Sequence, residues 1–375
     1  MNAKIHRLTM PKWGLSMQEG KVVDWLLEVG TRVEPGDRVV EVESEKIANA
    51  VEAVASGILR RQLAQPGESV PVAGLLAVIA EASVPDAEID DFVAEFQAQF
   101  VPSSAEEESA DIVPVTVDVE GRRVRYVQRG EGGDPAILIH GFGGDVNNWL
   151  FNHEALAIER SVYALDLPGH GSSAKDVAKG TAEDFARVLS GLMTVLGIST
   201  AHLVGHSLGG TVAMEFARAF PARALSLTLI ASAGLGQEID GEYIEGFTSA
   251  SRRKDLKPLL QKLFADPSLA SRQLVDDVLK YKRLDGIAEA LRTVADALCL
   301  GGAQRVVLRD TLPGLSIPVL VLWGKEDRII PVAHAQGLPE NIETRILEGG
   351  GHMVQMEQAS EVNRLIRGFW GRRSG

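Results

Sequence analysis

Two rhythms of apolar residues divide the chain. Up to about residue 80 the apolar positions come in short runs, such as Val39-Val40-Glu41-Val42, Val70-Pro71-Val72 and Leu75 to Ile79, broken by Pro35-Gly36-Asp37 and Pro66-Gly67-Glu68. Short alternating runs bounded by Pro-Gly turns predict β-strands. Two turn signals of one kind, each beside such runs, predict two similar half-sheets packed as a small all-β sandwich. From about residue 113 the runs become continuous, at 136–139, 162–165, 201–204, 227–230 and 319–322, with helical stretches such as 182–196 and 211–220 between several of them. Strands that are apolar on both faces belong in a mostly parallel sheet with helices on both faces. Residues 237–315 depart from this, with helical patterns at 269–281 and 286–298 and no strand, and an insertion of that kind between two sheet strands predicts a helical lid. Residues 81–112, with Pro102-Ser103-Ser104 and Glu106-Glu107-Glu108, read as an acidic linker in which Asp90 to Phe96 is compatible with a short amphipathic helix.

Composition narrows the functional classes. The 375 residues are 45% hydrophobic and 24% charged, and 38 Lys and Arg against 51 Asp and Glu give a formal charge of -13. That balance disfavours non-specific association with nucleic acid or anionic membrane. A single cysteine, Cys299, precludes an intrachain disulfide or a thiolate metal site, and its apolar neighbours Leu291, Val294, Ala295 and Leu298 make it a packing residue. With no secretory h-region at the start and no run of membrane-spanning length, the expected setting is cytoplasmic.

The candidate chemistry begins at Gly205-His206-Ser207-Leu208-Gly209. Gly-x-Ser-x-Gly alone is a weak signal, but here the apolar run 201–204 leads directly into it and helix-compatible residues follow. A strand, sharp turn and helix in that order hold a serine exposed at the top of a sheet. A serine nucleophile needs a base and the base needs a carboxylate. Asp327 follows the run 319–322, and His352 follows Glu348-Gly349-Gly350-Gly351; the order Ser207, Asp327, His352 suits such a fold. Glu326 and Asp166 are the substitute acids. The glycine-rich segment His140-Gly141-Phe142-Gly143-Gly144 follows a strand, so the amides of Phe142 and Leu208 are the expected oxyanion hole, with His140 and His170 read as hydrogen-bonding turn residues.

These residues, with Asp166-Leu167-Pro168-Gly169-His170-Gly171-Ser172, resemble the α/β-hydrolase family from about 113 to 375. The resemblance implies a catalytic triad of Ser207, Asp327 and His352. Near the other end, Lys46 in Glu43-Ser44-Glu45-Lys46-Ile47 should project from a hairpin tip. Together with Met10-Pro11-Lys12-Trp13-Gly14, Glu19-Gly20, Ser56-Gly57 and the two Pro-Gly turns, it resembles a lipoyl domain over residues 1–80, which implies a lipoyl group in amide linkage on Lys46. A biotinyl domain is similar in fold, but its lysine is usually flanked by methionines, whereas here the neighbours are Glu45 and Ile47.

The whole chain resembles the acyltransferase components of acetoin dehydrogenase complexes that carry an α/β-hydrolase domain. That resemblance implies acetyl transfer from lipoyl-Lys46 to coenzyme A in acetoin catabolism. The implied partners in the multienzyme complex are a thiamine-diphosphate-dependent acetoin-cleaving component and a dihydrolipoamide dehydrogenase. No histidine opens the His-x-x-x-Asp-Gly motif of ordinary 2-oxo acid dehydrogenase acyltransferases, and no peripheral-subunit-binding domain is evident in 81–112. Arg252, Arg253 and Lys254, with Lys257, are candidates for coenzyme A phosphates, against the alternative of a solvated basic face. A thioesterase or carboxylic-ester hydrolase, and a lipoyl carrier whose second domain is a non-catalytic scaffold, stay open as other readings.

Overall fold

A computed structural model describes residues 4–11, 17–43, 48–100 and 113–372, and the chain divides into two compact units, Met1–Ile112 and Val113–Gly375. The first contains β1 (Ile5–Thr9), β2 (Glu19–Trp25), β3 (Arg32–Val33), β4 (Arg38–Glu43), β5 (Ala48–Glu52), β6 (Gly57–Gln62), β7 (Ser69–Pro71) and β8 (Leu75–Ala80). They form two four-stranded antiparallel sheets, ordered β1-β8-β6-β3 and β5-β4-β2-β7, and both contribute buried side chains, among them Leu8, Leu59 and Ile79 from one and Val22, Val40 and Val42 from the other. The same device twice connects a strand of the first sheet to one of the second, between β3 and β4 and between β6 and β7. Asp37 N–H donates to Glu34 O at 3.0 Å and Glu68 N–H to Gln65 O at 3.0 Å. The residues at the third position of these turns, Gly36 (φ 98°) and Gly67 (φ 90°), adopt the left-handed conformation that type II turns require.

Part of the segment read as a linker is ordered. Residues Asp86–Gln99 form helix α1, which packs on its own unit through Ile89, with Phe92, Val93 and Phe96 against the cluster of Leu75, Val78, Ala80 and Val84. Arg60 and Arg61 from β6 pair with Asp86, and Arg61 also with Asp90. Four apolar residues at helical spacing and these cross-element pairs outweigh the acidic composition that suggested solvation.

In the second unit the elements are β9 (Val115–Val119), β10 (Arg122–Arg129), β11 (Ala136–Ile139), α2 (His153–Leu156), β12 (Val162–Leu165), α3 (Ala182–Val195), β13 (Ala201–His206), α4 (Leu208–Ala219), β14 (Ala224–Ile230), α5 (Gly241–Ser249), α6 (Arg253–Gln261), α7 (Arg272–Lys282), α8 (Ile287–Leu298), β15 (Cys299–Leu300), β16 (Ala303–Gln304), β17 (Val319–Gly324), β18 (Ile342–Leu347), α9 (Val354–Glu357) and α10 (Ala359–Gly371). Eight strands form one sheet in the order β18-β17-β14-β13-β11-β12-β10-β9. The hairpin β9–β10 is antiparallel and so is the β10–β12 pair; the other pairs of that sheet are parallel. Every residue of β11, β13 and β17 is buried, as their continuous apolar runs predict. Helices α5 to α8 fill the insertion between β14 and β17 as a cap. The expectation of no strand there is corrected by β15 and β16, a hairpin of two residues a side closed by Gly301 and Gly302, both at positive φ. No helix among the described residues is long and apolar enough to cross a membrane.

Candidate active site

Strand β13 lies in the interior of the sheet and delivers Ser207 at its carboxyl end. Ser207 has φ 53° and ψ -118°, a conformation that costs a non-glycine residue about 1–3 kcal/mol and persists only when its surroundings enforce it. Three backbone bonds do so: Ser207 N–H donates to Ile230 O at 3.0 Å, and Ser207 O accepts from Gly210 N at 2.9 Å and Ala233 N at 3.0 Å. The flanking glycine is sterically obligatory, since a Cβ at Gly209 would stand 2.1 Å from Ile139 O. Leu208 opens α4, so its amide has no acceptor within the helix and faces outward with the positive helix terminus.

The glycine-rich segment after β11 lies against this elbow: a Cβ built on Gly141 would be 3.0 Å from Ser207 Cβ and 2.9 Å from His206 Nδ1. Gly144 N–H donates to Gly141 O at 3.1 Å, a turn with Phe142 at its second position. The Phe142 ring packs at 5.6 Å on Phe247 of the cap helix α5, and Lys282 of α7 lies over Phe247 at 4.8 Å while donating to its carbonyl. Burial pulls the Lys282 ammonium down to about 8.

His352 and Asp327 meet directly. His352 Nδ1 donates to Asp327 Oδ2 at 2.8 Å, and their side chains are 3% and 0% exposed. The other oxygen, Oδ1, accepts from the amides of Ile329 at 2.8 Å and Ile330 at 3.0 Å. The substitute acid Asp166 is spent elsewhere, on Arg125, Val146 N and Ser172 N. His352 is held by a residue that sequence reasoning missed: His206 Nε2 donates to His352 O at 2.9 Å, and the two rings lie 4.9 Å apart. The buried His206 imidazole is pushed well below its ordinary pKa by desolvation and by His352, which keeps it neutral beside Ser207. A histidine adjacent to the serine was visible in the sequence, but its partner lies 146 residues away.

His140 and His170 are hydrogen-bonding residues of buried turns. His140 Nδ1 donates to Gly141 O at 2.7 Å and its Nε2 accepts from Leu167 N at 3.0 Å, while His170 Nδ1 donates to Pro168 O at 3.0 Å. Burial lowers both, His170 to about 3. Cys299 is half-buried against the core of its unit, and burial raises its thiol pKa. Of the basic residues in the cap, Arg252 pairs with Asp255 and Arg253 makes a bidentate bridge to Asp276, whereas Lys254 is exposed. Among the described residues no cluster of His, Cys, Asp and Glu is placed to hold a metal ion. Glu43 and Ala48 are paired neighbours on β4 and β5, and the four residues between them, Lys46 included, lie outside the described residues.

A serine at a strained strand-to-helix elbow, in a mostly parallel sheet preceded by a small antiparallel sandwich, defines an α/β-hydrolase-fold protein joined to a domain of the biotinyl and lipoyl type. The alpha/beta hydrolase fold family matches residues 134–359, and the family described as biotin-requiring enzyme matches residues 6–79. The dihydrolipoyllysine-residue acetyltransferase component of the acetoin cleaving system of Pseudomonas putida is 50% identical over 98% of this chain and 99% of its own length. That of Cupriavidus necator is 46% identical over 97% of each. A 2-hydroxy-6-oxononadienedioate/2-hydroxy-6-oxononatrienedioate hydrolase of Burkholderia vietnamiensis is 30% identical over 70% of this chain and 96% of its own. Among solved structures, a meta-cleavage product hydrolase from Pseudomonas fluorescens superimposes with a TM-score of 0.63 at 23% identity, over 70% of this chain and 98% of that one, and so shares the fold. The chain belongs to the family of dihydrolipoyllysine-residue acetyltransferase components of acetoin cleaving systems.

Proposed function

We propose that this chain moves an acetyl group from S-acetyldihydrolipoyl-lysine to coenzyme A by way of an acetyl-Ser207 intermediate. Lys46 would hold lipoate in amide linkage, and that group supplies the acetyl thioester. Ser207 Oγ attacks the thioester carbonyl while His352 takes the hydroxyl proton at Nε2, and Asp327 steadies the imidazolium through Nδ1. The developing oxyanion is met by the amides of Phe142 and Leu208. As the C–S bond breaks, His352 returns the proton to the departing sulfur. The coenzyme A thiol then gives its proton to His352 and attacks the acetyl ester, and as the bond to Oγ breaks His352 hands that proton to Oγ, which releases acetyl-CoA and restores Ser207.

The observation that carries this reading is the buried His352–Asp327 pair at 2.8 Å, in ring contact with the residue adjacent to Ser207. As a component of an acetoin cleaving system the chain works within a multienzyme complex, in the cytoplasm. Its partners are a thiamine-diphosphate-dependent acetoin-cleaving component and a dihydrolipoamide dehydrogenase. The coenzyme A phosphates meet the cap's basic surface, where Lys254 is exposed and Arg252 and Arg253 would exchange their aspartates for phosphate.

The similarity to a hydrolase over 70% of the chain favours one rival, attack of water on the acyl-serine. S-acetyldihydrolipoamide turned over with and without coenzyme A separates the two. Acetyl-CoA that forms in the wild type and falls about a thousandfold in Ser207→Ala supports transfer. Acetate released equally fast without coenzyme A establishes hydrolysis instead, and turnover unchanged in Ser207→Ala leaves the second unit a scaffold.

A further inference from the structure

The loop that carries His352 is tied to the cap on both sides of the histidine. On one side, Met353 N–H donates to Leu263 O at 3.0 Å. On the other, Gly351 N–H donates to Glu357 Oε2 at 2.7 Å, and the second oxygen of that carboxylate, Oε1, accepts from Ala265 N–H at 2.7 Å. Leu263 and Ala265 belong to the strap that follows α6 in the cap. The packing leaves no slack: a Cβ on Gly351 would lie 2.5 Å from Ala265 N and 2.8 Å from Phe264 C, and Phe264 is 1% exposed. The N–H groups of both residues that flank the general base, Gly351 and Met353, are therefore anchored to one cap segment, Met353 directly and Gly351 through Glu357.

We propose that Glu357 is a positioning residue that couples the cap to His352, so that a displacement of the strap at 263–265 is transmitted to the base. This rests on the assignment of Ser207 and His352 made above. The carboxylate suits the task because it offers an acceptor oxygen to each of two N–H donors. Burial, the first influence on it, raises its affinity for a proton, and the amides of Ala265, Gly351 and Asp266 oppose that rise. An amide at this position has one acceptor oxygen and turns its NH2 toward the second donor, which breaks one of the two ties.

The test uses the full chain and Glu357→Gln, with the rate of covalent labelling of Ser207 by a fluorophosphonate, and kcat and KM for acetyl transfer to coenzyme A. Circular dichroism and the thermal midpoint establish that the variant is folded. The expected result is a fall of about 10- to 100-fold in both the labelling rate and kcat, with KM within about twofold of wild type, the signature of a misplaced base. A folded Glu357→Gln that labels and turns over within about twofold of wild type overturns the coupling while the serine assignment stands. Wild-type protein that takes no label at Ser207 overturns that assignment and the coupling with it. Should Glu357→Gln fail to fold, Glu357→Asp, too short to span both donors, is read by the same criteria.

Discussion

The two units handle their functional residues in opposite ways. In the sandwich, the lysine sits in the four-residue connection between paired neighbours Glu43 and Ala48. In the second unit Ser207 is 7% exposed, the side chains of His352 and Asp327 are 3% and 0% exposed, and the proposed nucleophile is held in a backbone conformation it would not choose. A carrier has to be reached by several enzymes, so a lysine proposed to hold the arm is expected to be accessible to them. A reaction centre must exclude water and fix angles, so strain and burial concentrate there. On the proposed function, one chain separates delivery from chemistry.

The sharpest way to break this division is Lys46→Arg. It should abolish transfer from protein-bound acetyl groups yet leave turnover of free S-acetyldihydrolipoamide within about twofold of wild type, as measured by acetyl-CoA formation from each donor. Loss of both activities would show that the carrier lysine also serves the reaction centre. Next in size, Gly209→Ala puts a methyl group into the backbone of β11 and should lower the stability of the second unit by about 3 kcal/mol, read from denaturant unfolding. Acid should act on that unit as well. Burial pulls His153 down to about 4 and His170 to about 3, so the unfolded chain binds their protons first. Stability is full above about pH 6.5 and is lost as pH falls toward these values, by about 2 kcal/mol per histidine between pH 7 and 5. Calorimetry at the two pH values checks this, and equal shifts in both units would contradict it. The smallest effect belongs to Gly67→Ala in the sandwich: its φ is 90° with nothing within 4 Å of a new Cβ, so about 1 kcal/mol of backbone cost is expected in the same unfolding measurement.

The contrast also explains what was legible beforehand. Strands of the sheet announced themselves as continuous apolar runs, and the serine, aspartate and histidine followed from a local motif and a chain order. Helix α1 was legible only in its middle, at Asp90 to Phe96, because Asp86, Glu88, Asp90, Asp91 and Glu95 dominate its composition, while the arginines that balance two of them lie about 25 residues upstream on β6. The hairpin β15–β16 is too short to show an alternation, although Gly301-Gly302 marked its turn. His206 and Glu357 escaped for another reason. Each acts on a main-chain atom of the histidine loop, and a backbone partner leaves no imprint on side-chain spacing.

One detail of Asp327 has a reach beyond its own position. Oδ1 is engaged by the amides of Ile329 and Ile330, so Oδ2 is the oxygen that meets His352, and because a carboxylate only accepts, the ring presents N–H at Nδ1 and a lone pair at Nε2. The carboxylate selects the tautomer, and two peptide groups select which of its oxygens faces the ring. Other side chains at 329 and 330 leave both donors in place whatever they do to the buried packing, whereas proline, which has no N–H to give, removes one of them and frees the carboxylate to turn.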